Sequence, residues 1–146
     1  MKATETYEIT WLIRRLFRAM ASRSNESLSA QNINAADRAV LEFLHAEDAL
    51  SVPEIASRYE VSRQHVQVTV NRLLEAGLVA STPNPRHRRS PLIRLTAAGK
   101  RLFEKILRND KDIVEALFAD IPDTQVTTTR KTLQKLYAAL SAGDDK

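Results

Sequence analysis

The residues best equipped for chemistry lie in Val61–Val79, VSRQHVQVTVNRLLEAGLV. At 100° per residue, Gln64, Gln67, Val68 and Asn71 fall along one side of a helix, with Arg63 and Arg72 at its flanks and Ser62 and His65 at its start. An amide donates and accepts at once, as the major-groove edge of adenine requires. A valine methyl suits the thymine methyl, and a guanidinium reaches guanine or phosphate. His65 sits where it faces either a duplex or the preceding turn. Taken singly, each of these residues is better explained by a solvated helix face.

A second group follows in PNPRHRRSP, where three prolines and three arginines occupy nine residues. Proline lowers the ordering cost of presenting Arg86, Arg88 and Arg89 to a phosphate backbone or a narrow, electronegative minor groove. Charge is concentrated in the same region. Residues 51–101 hold nine Lys/Arg against three acids, a net +6, so the rest of the +4 chain carries −2.

The elements that position these groups can be read outward. Val66, Val70, Leu73 and Leu74 give the helix its core side, Ser62 is a good N-cap, and Gly77 closes it. Before it, Pro53 suits a first helical turn, and Ile55, Ala56 and Tyr59 repeat at helical spacing. Tyr59–Ser62 is then the turn of a helix-turn-helix, with Glu60 where glycine is common, so Glu60 either takes a positive φ or reshapes the turn. Leu50–Val52 is a short extended spacer. Asn34 caps a helix to about Ala46, with Asp37 at its third position and Val40, Leu41, Phe43 and Leu44 as its apolar set. After Gly77, Leu78–Thr82 and Leu92–Leu95 are β-compatible runs around the basic loop, which makes a β-wing.

The ends of the chain are helical. Residues 5–22 carry an apolar stripe of Ile9, Leu12, Ile13, Leu16, Phe17 and Met20, with Tyr7, Trp11, Arg14 and Arg18 on the other side. Trp11 belongs either in a packing contact, within or between chains, or in the wall of a ligand pocket. Ser24–Asn32 is a polar connector by composition. Thr96 caps a long helix from Ala97 to about Phe118, Pro122 and Asp123 interrupt it, and a final helix ends near Gly143. These outer helices carry more apolar surface than a small reading head can cover, so a homodimer is expected.

Composition removes other classes. The 146 residues, 43% hydrophobic, suffice for one core with extensions. There is no cysteine, and His45, His65 and His87 are too scattered for a metal site. Gly77, Gly99 and Gly143 are the only glycines, so no phosphate-cradling motif can be written, and no nucleophile signature is present. An enzyme, a cofactor and a metal are therefore not expected. No run approaches a membrane span, and ITWLIRRLFRAM, with three arginines, is unlike a signal segment, so a cytoplasmic protein is expected.

The ordered string SVPEIASRYEVSRQHVQVTVNRLLEAGLV then NPRHRRSPLIRLTAAG resembles the MarR-type winged helix-turn-helix transcriptional regulators. The resemblance implies a mainly α fold with a small β-wing. It places a DNA-binding winged helix-turn-helix over 34–101 and helical dimerisation regions over 1–33 and 102–146. It further implies a dimeric regulator, commonly a repressor, on a near-palindromic operator with half-sites roughly 34 Å apart. In such regulators release is often by a small aromatic or anionic effector, and Trp11, Arg15, Phe43 and Phe103 either line its site or simply pack or sit solvated. One departure stands out. The family's D-x-x-D-R-R wing is replaced here by Asn84 and His87 before Arg88 and Arg89, so its carboxylate bracing is missing. The alternatives are a winged-helix module that binds protein, and a nonspecific nucleoid-type DNA binder.

Overall fold

Most helices of the reading region begin on a side chain that accepts an otherwise free amide hydrogen. Asn34 Oδ1 accepts from the Asp37 N–H at 2.9 Å and Asp37 Oδ2 accepts from the Asn34 N–H at 2.9 Å, a complete capping box that starts α2 (Ala35–Glu47). Ser51 caps α3 (Val52–Tyr59), which has proline in its first turn, and Ser62 caps α4 (Arg63–Glu75) through the His65 N–H at 3.1 Å. Thr96 Oγ1 accepts from the Gly99 N–H at the start of α5 (Ala97–Phe118).

The computed structural model describes residues 2–142, and contacts divide the chain into two units between Leu107 and Arg108. The first holds α1 (Lys2–Ser29), α2, β1 (Ala49–Ser51), α3, α4, β2 (Val79–Thr82), β3 (Leu92–Leu95) and the first part of α5. Its core gathers Val40, Leu41 and Leu44 of α2, Ile55 of α3, Val66, Val70 and Leu73 of α4, and Phe103 of α5. The expected core side of α4 is therefore buried, with Leu74 packed against it. Thr69 joins it at 3% exposure, its hydroxyl satisfied by the His65 carbonyl.

The short spacer becomes a strand. β1 pairs antiparallel with β3 through Leu50↔Ile93, and β3 pairs with β2, giving the order β1-β3-β2. Leu50 and Ile93 are both buried, which roots the wing in the core instead of leaving a free hairpin. The turn between α3 and α4 keeps the helix-turn-helix shape with Glu60 in left-handed conformation, φ 57° and ψ 39°. Gly77, at φ 71°, ends α4: its N–H donates to the Leu74 carbonyl and that of Leu78 to the Leu73 carbonyl.

One expectation needs correction. The polar composition of Ser24–Asn32 does not make a connector, because α1 runs unbroken to Ser29 and only residues 30–34 leave the helix. The reason is tertiary: Leu28 is 2% exposed in the core, and Arg38 of α2 donates to Ser24. Residues 2–20 of α1 are exposed, including Leu12, Leu16, Phe17 and Met20 of the expected stripe.

The second unit comprises the rest of α5 and α6 (Asp123–Ser141). Pro122 precedes α6 without a side-chain cap. No residue of α6 is buried, and Leu117, Phe118, Leu133, Leu136 and Leu140 are exposed. The expected end near Gly143 lies outside the described residues. Among those residues no helix is long and apolar enough to cross a membrane.

Candidate nucleic-acid interface

On α4 the outward residues divide by what holds them. Arg63, Gln64, His65, Gln67, Val68 and Asn71 are all exposed, Val68 at 59% despite its apolar side chain. Gln67 Nε2 donates to Asn71 Oδ1 at 2.8 Å, one helical turn on, so the two amides are paired along the outer face. That bond leaves the Gln67 oxygen and the Asn71 nitrogen as outward acceptor and donor. Ser62 commits its oxygen to the helix cap, and the His65 ring lies 6.4 Å from that of Tyr59.

Arg72 is held differently. Its Nη2 and Nε both donate to Asp37 Oδ1, at 2.6 and 3.1 Å, so this guanidinium ties α4 to the start of α2. Sequence reasoning placed Arg72 with the outward set and saw Asp37 only as a capping residue. The two are 35 residues apart and share no periodicity.

In the wing, Arg86, Arg88 and Arg89 are exposed, and among the described residues no hydrogen bond or ion pair engages their side chains. The backbone beneath them is organised: the His87 N–H donates to the Asn84 carbonyl and the Ser90 N–H to the His87 carbonyl, two successive turns. Asn84 is 8% exposed and bonded on both sides, a role that its place in a polar loop did not signal.

The helix and the wing meet in one place. Arg63, Gln64 and Gln67 of α4 line an open cleft of about 480 Å³ together with Arg89, Ser90 and Pro91 of the wing. Two guanidiniums, unpaired among the described residues, and two amides from segments more than twenty residues apart thus front one surface. Two cations with no acid in the lining suit a polyanion.

The four residues named for an effector site are not gathered in the single chain. The Arg15 guanidinium stacks 4.5 Å over the Trp11 ring on the exposed side of α1. Phe43 packs against Tyr59, and Phe103, 1% exposed in the core, has its ring 5.0 Å from that of the exposed His45. Among the described residues no group of three or more His, Asp and Glu is placed to hold a metal ion.

Comparison with known proteins extends the geometry. The family model for the MarR family matches residues 31–90. An uncharacterized protein of Mycobacterium tuberculosis, Rv2011c, is 32% identical over 138 residues, covering 94% of this chain and 91% of that protein. The HTH-type transcriptional repressor MdtR of Bacillus subtilis is 29% identical over 132 residues, covering 90% of this chain and 85% of MdtR. Among solved structures, mutant MarR from E. coli complexed with operator DNA matches with a TM-score of 0.72 at 25% identity, covering 90% of this chain and 95% of that one.

Proposed function

The chain belongs to the MarR family of transcription regulators, and on that premise we propose that it is a dimeric, sequence-specific DNA-binding repressor released by a small effector. The observation that carries the reading is the shared cleft, in which Arg63, Gln64 and Gln67 of α4 and Arg89 of the wing front one surface. In this reading α4 enters the major groove, where Gln64, Gln67 and Asn71 read base edges and Val68 meets a thymine methyl. Arg86, Arg88 and Arg89 bind phosphate or the adjacent minor groove. Arg72 acts from behind, holding the helix through Asp37.

Dimerisation follows from the same physics that buries a core. Leu12, Leu16, Phe17 and Met20 on α1, and separately Leu133, Leu136 and Leu140 on α6, are exposed in one chain, and a second copy is the partner that covers them. Repression is the direction taken by MdtR, which is named a repressor, and E. coli MarR has been captured on operator DNA. Effector release rests on the family and on the Trp11–Arg15 pair, a cation beside an exposed indole that suits an aromatic acid.

Fluorescence anisotropy with labelled duplexes from the protein's own upstream region tests the reading. The expected result is binding that falls steeply with salt and discriminates that region from random duplex. Absence of binding at low salt, or unchanged binding by R88A/R89A, refutes it. A thermal-shift screen of aromatic acids, followed by quenching of the single tryptophan, tests the effector arm.

A further inference from the structure

Three arginines on a loop attract phosphate only if the loop holds them out, and this loop lacks the support that usually does so. An open hollow of about 360 Å³ lies against it, lined by Ser81, Thr82, Pro83, Asn84, Arg88 and Pro91. Between Ser81 and Leu95 the sequence contains no acid, so no wing carboxylate braces a wing guanidinium.

What spans the loop is one amide. Asn84 Nδ2 donates to the Ser90 carbonyl at 2.9 Å, and Asn84 Oδ1 accepts from the Arg86 N–H at 3.1 Å. Both partners are backbone groups of fixed polarity, so the orientation of the amide is determined: only a side chain with one donor and one acceptor satisfies both. Asn84 is the buried residue of an otherwise exposed loop, and its bridge encloses Arg86, Arg88 and Arg89.

We infer that Asn84 is the positioning residue of the wing: its neutral two-sided bridge replaces carboxylate bracing and presents Arg86, Arg88 and Arg89, with their full charge, to the DNA backbone. This rests on the DNA-binding reading above. An aspartate here would keep the bond from Arg86 N–H but set an oxygen against the Ser90 carbonyl and place a negative charge among the arginines. An alanine would remove the bridge and leave the charge unchanged.

The two substitutions therefore separate geometry from charge. Binding of a labelled random-sequence duplex is measured by anisotropy over a series of sodium chloride concentrations, for wild type, N84A, N84D and the R86A/R88A/R89A variant with and without N84A. N84A is expected to weaken binding about tenfold and to flatten the salt dependence by roughly one to two phosphate contacts, with the thermal midpoint unchanged. N84D, which differs from asparagine by one atom and so guards against a folding failure of N84A, is expected to weaken binding at least as much. In the arginine-free background N84A is expected to have no further effect, because Asn84 acts through those side chains. Wild-type binding by N84A and N84D, or an equal loss in both backgrounds, overturns the inference while leaving the DNA reading intact. No binding by wild type at low salt overturns both.

Discussion

Arg72 Nη2 lies 2.6 Å and Nε 3.1 Å from a single carboxylate oxygen of Asp37, whose other oxygen accepts the backbone N–H of Asn34. One carboxyl group thus completes the cap of α2 and anchors the far end of α4. The burial is unequal, with the Asp37 side chain 3% exposed and that of Arg72 48%. The two halves of the pair should therefore respond differently to removal.

R72M leaves a buried carboxylate with its capping bond alone, and is expected to cost about 2–3 kcal/mol of stability. The double variant D37N/R72M, which removes the charge as well, is expected to regain part of that loss. Urea unfolding at one fixed protein concentration, with both singles and the double, measures the coupling. Additive losses would show that the pair contributes geometry without energy.

The glycines and Glu60 make a second, graded test. A Cβ on Gly99 would lie 2.0 Å from the Leu78 carbonyl oxygen, a backbone atom that cannot yield without moving the start of the wing. At Gly77 a Cβ meets nothing within 4 Å, and only the φ of 71° resists it. G77A is expected to cost about 1 kcal/mol, and G99A clearly more. E60G, which relieves a left-handed glutamate, is expected to be neutral or stabilising by about 0.5 kcal/mol. Thermal unfolding of the three variants gives the order E60G, G77A, G99A from most to least stable. A G99A protein as stable as wild type would contradict the close approach of α5 to the Leu78 backbone.

A third prediction concerns assembly. Leu16 on α1 and Leu136 on α6 are 59% and 42% exposed in the single chain. If a second copy covers them, L16E and L136E each bury a carboxylate in an apolar contact and shift sedimentation toward the monomer. Loss of the dimer also divides a two-site DNA ligand into single sites, so affinity falls without any change on α4. A wild-type monomer at micromolar concentration, or dimers unaffected by either substitution, would remove the assembly from the mechanism.

The legible parts of this fold are those with a local cause. Asn34, Ser62, Thr96 and Gly77 mark helix ends through bonds made within a few residues, and the α4 core side follows from spacing alone. The reach of α1 through Ser29 was not legible, because Leu28 is held by a core built mostly from α2, α3 and α4. Asp37 illustrates the same limit within one side chain: its bond to Asn34, three residues away, follows from a motif, whereas its bond to Arg72 appears only when α2 and α4 pack. The Asn84 bridge spans only six residues, yet asparagine between two prolines reads simply as a turn former until the loop is closed.

The last prediction concerns what α4 reads. Gln67 and Asn71 are already hydrogen-bonded in the unbound chain, which favours an outward acceptor and donor before any base is met. An acceptor and a donor side by side match the N6 and N7 edge of adenine, and an exposed Val68 beside them matches thymine. A selection from random duplexes is therefore expected to return A/T-rich half-sites about one helical turn apart. Q67A and N71A are each expected to cost about 1–3 kcal/mol on the selected site and little on random duplex. Because each holds the other, the double variant should lose less than the sum of the singles. Selection of G/C-rich half-sites, or additive losses from the two substitutions, would mean that the amide pair is a feature of the free helix which the bound state discards.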